Sequence, residues 1–499
     1  MEKKKRNILI TIVLLIGVIA IIGVSYAIWS LYLTQKGQND IASSCFNITF
    51  TDKNNISLQK AYPILDEDGK KLTPYEFTIT NTCDSYASFN VNLEVLNTTT
   101  LTNNDAVKVM ISSKAGATET EINTNLLSSY KTTTKTLNNA QTSFNLTTGY
   151  LKAKESKTYI LRLWLDEKVD MNTKGVQNAK FSSKVVVTAS YAEEIPKSAS
   201  ETITTLVSGA NKSSTDVYTV PNKTSDSCTY TLAYDGTSDN NLRYVGANPC
   251  NYVTFNGEKA GWRIIGILNT SEGQRMKLIR TNSLGDLSWD YTSTGSYRND
   301  WTTSTLQTLL NSGAYYNRTT GQYYNNSTTA TTLDFTNNGL TQTAKSQIDT
   351  ITWKLGGTEN YLMPSNGLAS HWYTYERGTT VYTGRPTEWQ GKVGLMYPSD
   401  YGYATSGGPS NCFAMALFNW YTANDCKKND WLLDRTQWTL APSSSSYKSV
   451  FIVSSAGSVE LNGGVEDLHA VRPSVYLIPS VSILSGEGTE ANPYTLSGN

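Results

Sequence analysis

Residues 8–33 carry no charged side chain, and the block Lys3, Lys4, Lys5, Arg6 stands immediately before them. A stretch this long and apolar serves either as a transmembrane helix or as the core of an export signal. The flanking positive charge keeps the N-terminus on the cytoplasmic side, so everything that follows is expected outside the cytoplasm. Ile8 to Val24 is nearly continuous aliphatic sequence, and Tyr26, Ile28, Trp29 and Tyr32 extend it with the aromatic residues that favour a membrane interface. Ser25-Tyr26-Ala27 also puts small residues at the two positions a signal peptidase reads, so cleavage between Ala27 and Ile28 competes with retention as an anchor. The expected location is the cell surface, as a single-pass protein held through residues 8–33 with its N-terminus inside, or the exterior after cleavage. No L-P-x-T-G sorting signal precedes the C-terminus, so sortase attachment to a wall is not expected.

Charge narrows the partners. The 42 basic and 42 acidic residues of the 499 cancel, and no basic stripe argues for nucleic acid. Only 17% of residues are charged, while Thr, Asn, Ser and Tyr abound, a composition that favours strands over long helices. Six cysteines, Cys45, Cys83, Cys228, Cys250, Cys412 and Cys426, all follow the apolar segment. In an exported chain they read most simply as three sequential disulfides, with free buried thiols as the alternative. Metal binding would want closer cysteine spacing and histidine partners.

The organisation is multidomain. Residues 1–35 form the signal or transmembrane segment. Residues 36–196 alternate apolar and polar positions in short runs, among them Phe46 to Phe50, Phe77 to Ile79, Phe89 to Leu93, Ile160 to Leu165 and Val185 to Tyr191. That pattern predicts an all-β sandwich of two antiparallel sheets, whose last strand stops near Pro196. Residues 197–227, rich in Ser, Thr and Asn, read as a linker. Residues 228–499 hold nine of the eleven tryptophans and read as an α+β, loop-rich domain. Leu306, Leu309 and Leu310 behind Thr303 and Ser304 predict a capped helix, and Leu340, Ala344, Ile348 and Ile351 predict a second that stops at Leu355-Gly356-Gly357. Strands are expected at Trp262 to Leu268, Met276 to Arg280, Val450 to Val453 and Val475 to Ile478.

Two families supply further expectations. Gly23-Val24-Ser25-Tyr26-Ala27-Ile28-Trp29, Phe77-Thr78-Ile79-Thr80-Asn81-Thr82 and Leu163-Trp164-Leu165-Asp166-Glu167 resemble the TasA/camelysin family of exported fibre and surface proteins. This chain departs from it by carrying Cys45, Cys83 and a second large domain. Phe255-Asn256-Gly257-Glu258 leading into Gly261 to Ile265, the W-x-x-S-x-L-x-x-x-L-N run at Trp301 to Asn311, and Val471 to Leu477 resemble a domain of unknown function in Firmicutes surface proteins. That domain is distantly similar to the C-type-lectin-like fold of formylglycine-generating enzymes.

Candidate chemistry is sparse. Formylglycine-generating chemistry needs a reactive cysteine pair, whereas Cys412 and Cys426 suit a structural bond. His371 and His469 have no nucleophile setting such as G-x-S-x-G. Asp425/Asp430 and Glu466/Asp467 suggest at most glycosidase or calcium chemistry, with Asn429-Asp430-Trp431 a faint echo of the calcium triplet of lectins; solvated loop charge is the plainer reading. Trp372, Tyr375 and Arg377, with Trp389 and Tyr401, are candidate ligand contacts because aromatic faces stack on sugar rings and anchor protein partners. The same aromatics also suit the core of a domain with little helix, and Arg472 suits a buried hydrogen-bonding role there. The expected function is a surface or secreted structural or adhesive protein displaying a lectin-like domain for a glycan or protein ligand, with no enzyme activity. Alternatives are an exported enzyme on a formylglycine-generating-like fold and a matrix fibre subunit whose sandwiches self-associate through a donor strand at Leu31 to Ser44.

Overall fold

The alternating runs of the first half become strands in the places the pattern predicts. In the computed structural model, one sheet runs Phe46–Phe50, Tyr75–Asn81, Ser156–Asp166, Val107–Ala115, Thr118–Leu126, with the short Pro63–Ile64 parallel to Ser156–Asp166. The other runs Ser57–Gln59, Lys180–Ala192, Tyr86–Leu96, Ala140–Leu151, Lys131–Thr133, antiparallel throughout. Inward residues of both sheets, among them Phe77, Ile79, Val91, Ile111, Leu161 and Val187, form one apolar core, so this unit is a β-sandwich. Trp164 lies on the outer face of its strand, where it donates to Asp66 (3.3 Å). A Cβ at position 69 would sit 2.3 Å from its ring, so Gly69 is required there.

The structure describes residues 46–50, 57–59 and 62–497, apart from short breaks at 134–135, 137–139, 173–174, 177, 193–194, 196, 214–215, 222, 364, 409–410 and 462–463. The apolar segment 8–33, the Ala27/Ile28 cleavage site and Cys45 lie outside the described residues. Among those described, no helix is long and apolar enough to cross a membrane.

The chain divides into two units between Ile195 and Pro196, and the expected linker 197–227 proves to be folded into the second. Ser198 and Glu201 form a reciprocal capping box at the start of the helix Ala199–Leu206, and that helix buries Ala199 and Ile203 in the unit's main core. Asn211–Lys212 and Val217–Thr219 then open an eleven-stranded sheet. Polar composition hides this packing because so few side chains are buried: Ala199, Ser200 and Ile203 of the helix and Val217 of its strand, and neither residue of Asn211–Lys212.

That sheet continues through Thr231–Tyr234, Leu242–Tyr244, Glu258–Thr270, Tyr252–Phe255, Tyr494–Leu496 and Ile483–Ser485. Gly273–Arg280 pairs with both Glu258–Thr270 and Ser474–Tyr476, and Val393–Gly394 closes that branch. A five-stranded sheet holds Asp286–Leu287, His469–Ala470, Gln437–Pro442, Val450–Val453 and Val459–Glu460. The unit is therefore β-rich α+β. The helix Thr305–Asn311 forms as predicted, with the Ser304 hydroxyl accepting from Gln307 N at 3.1 Å. The second predicted helix is shorter, Gln342–Gln347. At Asp349 the backbone N–H turns to Tyr476 O (2.8 Å), and the β-branched Ile351–Lys354 joins Glu388–Gly391 as a hairpin.

Two disulfides match the sequential expectation, Cys228–Cys250 and Cys412–Cys426, with Cα separations of 5.1 and 5.5 Å. Cys83 is also disulfide-bonded. Disulfides persist in oxidising, extracellular-like compartments.

Candidate functional site

Ala369, Trp372, Tyr373 and Glu376 fall at i, i+3, i+4 and i+7, and the helix Ala369–Arg377 buries that face. Trp372 is therefore a core residue, fully buried and edge-on to Phe451 at 4.6 Å. Tyr401, also fully buried, donates to Gly457 O (3.0 Å) and packs on Trp420. Both correct the expectation of surface ligand contacts: each ring is too large for a loop-rich fold to leave out of its core. Tyr375 is half-buried and donates to Asn366 O at 2.9 Å. Trp389 is half-buried on its hairpin, opposite Trp353 and edge-on to Trp301. The five nominated residues do not converge on one site.

The same helix leads instead to a buried ionic network. Asp400, at the start of Pro398–Tyr403, accepts Arg243 Nη1 on Oδ1 (2.8 Å) and both Lys277 Nζ (2.5 Å) and Tyr397 N (2.9 Å) on Oδ2. Arg243 in turn donates from Nε to Asp235 at 2.8 Å. All four charged side chains are at most 1% exposed. Burial alone would raise the Asp400 carboxyl, but the Lys277 ammonium and the Arg243 guanidinium outweigh it and hold it down at about 2. Burial pushes Lys277 below the usual lysine range against the opposing pull of Asp400. Tyr397, Tyr476 and Trp353 enclose its ammonium with ring centroids 4.5, 5.2 and 5.3 Å away.

Beside this network, Glu376 accepts Ser399 N at 2.8 Å and Ser399 Oγ at 2.5 Å, and burial raises its carboxyl to about 7. Arg377, the outermost member, stacks 3.3 Å above the Tyr373 ring, and Tyr373 OH bonds both Asn241 and Asp239. The network thus runs from the interior to a partly exposed Arg377 and Asp239.

A second constellation lies on the surface and was not anticipated. Tyr291 and Tyr297 stack at 5.9 Å with 14° between planes, and Tyr382 approaches Tyr447 at 6.2 Å. Arg385 lies over Tyr382 and donates to Asn299 Oδ1 (3.0 Å) and Tyr447 O (3.3 Å), while Lys448 reaches over Tyr297. Asn299 is buried and its amide donates to Ser443, Ser446 and Ser449 carbonyls, pinning one loop to the next. The rings come from three loops far apart in sequence, so no local spacing announces them.

The remaining candidates take structural roles. Asp430 is fully buried, accepts Leu432 N at 3.0 Å, and burial raises it well above the carboxylate range, which suits a neutral acid better than a calcium ligand. Asp467 accepts Gly464 N, and Asp425 stands exposed. Among the described residues no group of three His, Cys, Asp or Glu side chains is placed to hold a metal. His469 packs against Trp438 and His371 accepts from Leu368 N. Arg472 donates to Arg280 O (3.0 Å) and lies buried near Leu432 O and Gln437, as its internal role predicted.

Compared with known proteins, the chain matches no family model and no curated protein. Among solved structures, AvmM, which catalyses macrocyclization in alchivemycin A biosynthesis, aligns with 31% of this chain and 92% of its own at 13% identity. The TM-score of 0.16 is too low for that likeness to carry any argument.

Proposed function

We propose that this chain is a surface-held or secreted bacterial protein of adhesive function, in which the β-sandwich supports a lectin-like unit that binds a glycan on the Tyr291, Tyr297, Tyr382 and Tyr447 surface. The observation that carries this reading is the fixing of those rings before any ligand arrives. Buried Asn299 and the Arg385 contacts tie together the loops that bear them. Sugar rings offer C–H faces to aromatic planes and hydroxyls to nearby donors, and Arg385 and Lys448 supply the donors. Rigid rings lose little freedom on binding, which favours affinity. The two disulfides agree with an exported location.

The test is binding of the exported chain to an array of neutral and acidic oligosaccharides, with mucin and fibronectin alongside. Tyr382→Ala combined with Tyr447→Ala is expected to weaken glycan binding about tenfold or more, on the order of 1–2 kcal/mol, while Trp372→Ala acts only through stability. Absence of binding to every glycan sinks this reading; binding to fibronectin alone moves the ligand class from sugar to protein.

A further inference from the structure

We propose that the side chains of Lys277 and Asp400 condense to an intramolecular amide, so that the exported protein carries a covalent cross-link inside its C-terminal unit. Lys277 lies on Gly273–Arg280, a strand paired on both sides, and Asp400 opens the short helix Pro398–Tyr403. The two are 123 residues apart in sequence, yet Lys277 Nζ stands 2.5 Å from Asp400 Oδ2.

Geometry singles out this pair. Lysine and carboxylate partners at other described ion pairs have one or both side chains open to water, from 18% upward for the lysines. At Lys277 and Asp400 the exposures are 0 and 1%. The other buried pairs use arginine, whose delocalised guanidinium is a poor nucleophile. Three aromatic rings close around Nζ and keep out the water that would compete for the amine or hydrolyse the product.

The step balances without a co-reactant. The Lys277 ammonium passes a proton to Asp400 Oδ2, and the freed Nζ lone pair attacks Asp400 Cγ, forming the C–N bond. Negative charge gathers on Oδ1, where Arg243 Nη1 already donates at 2.8 Å, the arrangement that stabilises a tetrahedral adduct. The adduct collapses by breaking the Cγ–Oδ2 bond. Oδ2 leaves as water with the proton it received and a second one from nitrogen, and Oδ1 remains as the amide carbonyl, still accepting from Arg243. Tyr397 N, 2.9 Å from Oδ2, holds the departing oxygen in place. The first proton transfer runs against the hold that Arg243 keeps on the Asp400 carboxylate, and is driven by the 2.5 Å contact and the exclusion of water rather than by the proton affinities of the pair. Glu376 enters only as a positioning residue, through its two bonds to Ser399 next to Asp400.

The experiment reads peptide masses of the full exported chain after reduction, alkylation, denaturation and trypsin digestion. A modified Lys277 blocks cleavage, so the expected product is the peptide Met276–Arg280 joined to residues 393–427, with the summed mass less one water. That species must be absent from Lys277→Met, whose unbranched side chain fills the same aromatic box, and from Asp400→Ala. Recovery of wild-type peptides cut after Lys277, with 393–427 unlinked and no joined species, overturns the proposal. Glycan binding plays no part in this readout, so the cross-link and the adhesive reading stand or fall separately.

Discussion

The two units solve the same problem, staying folded in an oxidising, extracellular-like setting, with different chemistry. In the sandwich the inward core is apolar, and its ion pairs lie outside that core with at least one partner open to water: buried Arg162 meets Glu119, and Lys108 meets Asp66 and buried Asp166, while Glu94 is buried as well. In the C-terminal unit Asp235, Arg243, Lys277 and Asp400 sit where no water reaches, and two disulfides fasten the loops. Regular strands satisfy their own backbone and leave side chains free to sort by polarity. A loop-rich fold has no such regularity, so it recruits buried charge and aromatic enclosure to specify one arrangement, while disulfide bonding is common to both units, Cys83 being bonded in the sandwich.

Removing a buried ion tests that contrast at its strongest point. Arg243→Ala leaves the Asp235 carboxyl and Asp400 Oδ1 without their shared guanidinium donor, and breaking a buried pair from one side is expected to destabilise the C-terminal unit by about 3–5 kcal/mol. Calorimetry should show its transition falling while the sandwich transition stays put. An unchanged C-terminal transition would mean that the buried network contributes specificity alone.

The covalent fasteners come next. Cys228 and Cys250 are 22 residues apart, and replacing both with serine is expected to lower the unit's stability by about 3 kcal/mol, chiefly by freeing the unfolded chain. Denaturant unfolding, monitored by the many buried tryptophans of this unit, measures it. A loss under about 1 kcal/mol would show that the surrounding core, with Tyr230 and Val253, holds these strands unaided.

How much of this was legible follows from the same contrast. Period-two alternation located sandwich strands where one side is wetter than the other, as in Tyr75–Asn81, although Ser156–Asp166 buries both faces over its second half. It could not foresee Lys277: within Met276-Lys277-Leu278-Ile279 both faces are buried, so a lysine that parity assigns to solvent is enclosed. The helix start at Ser304 was readable from its cap, and the same signature, Ser198 with Glu201 three residues on, was present in the segment taken for a linker. The i, i+3, i+4, i+7 spacing of Ala369, Trp372, Tyr373 and Glu376 likewise announces a buried helix face, although aromatic side chains are equally the residue type that lines ligand surfaces. The tyrosine surface had no local signal at all, since its members meet only through tertiary contacts.

Proton linkage separates the units more gently. Unfolded, Glu376 releases its proton near 4.5; folded, burial keeps it bound up to about 7. Between those values the folded unit holds more protons, so its stability falls as pH rises through that window, by on the order of 3 kcal/mol in all. The sandwich behaves in the opposite sense: its hydrogen bonds to Arg162 hold Glu119 below the usual range, so its stability is present at neutral pH and is lost only as acid protonates that carboxyl. Calorimetry at pH 5 and pH 8 should therefore lower the C-terminal transition alone. Glu376→Gln should shrink the difference and leave a remainder of the same sign from the buried Asp430 carboxyl, which burial also raises; a difference unchanged in that variant would assign all of it to another group.

The smallest effect is expected where the two strategies look most alike. Lys108 bridges Asp66 and Asp166 at 2.8 Å each, a triad that resembles the buried network in outline. Its lysine is 18% exposed and Asp66 43%, so water already solvates what the partners would lose. Lys108→Ala should therefore cost about 1 kcal/mol or less, and most of that loss should vanish in molar salt, which screens exposed pairs and spares buried ones. The Arg243→Ala loss should survive the same salt. If instead Lys108→Ala were as damaging as Arg243→Ala, the margin of the sandwich would have to count as interior, and the division between a sorted core and a fastened one would fail at the point where the sandwich folds its helix Asp66–Gly69 over Trp164.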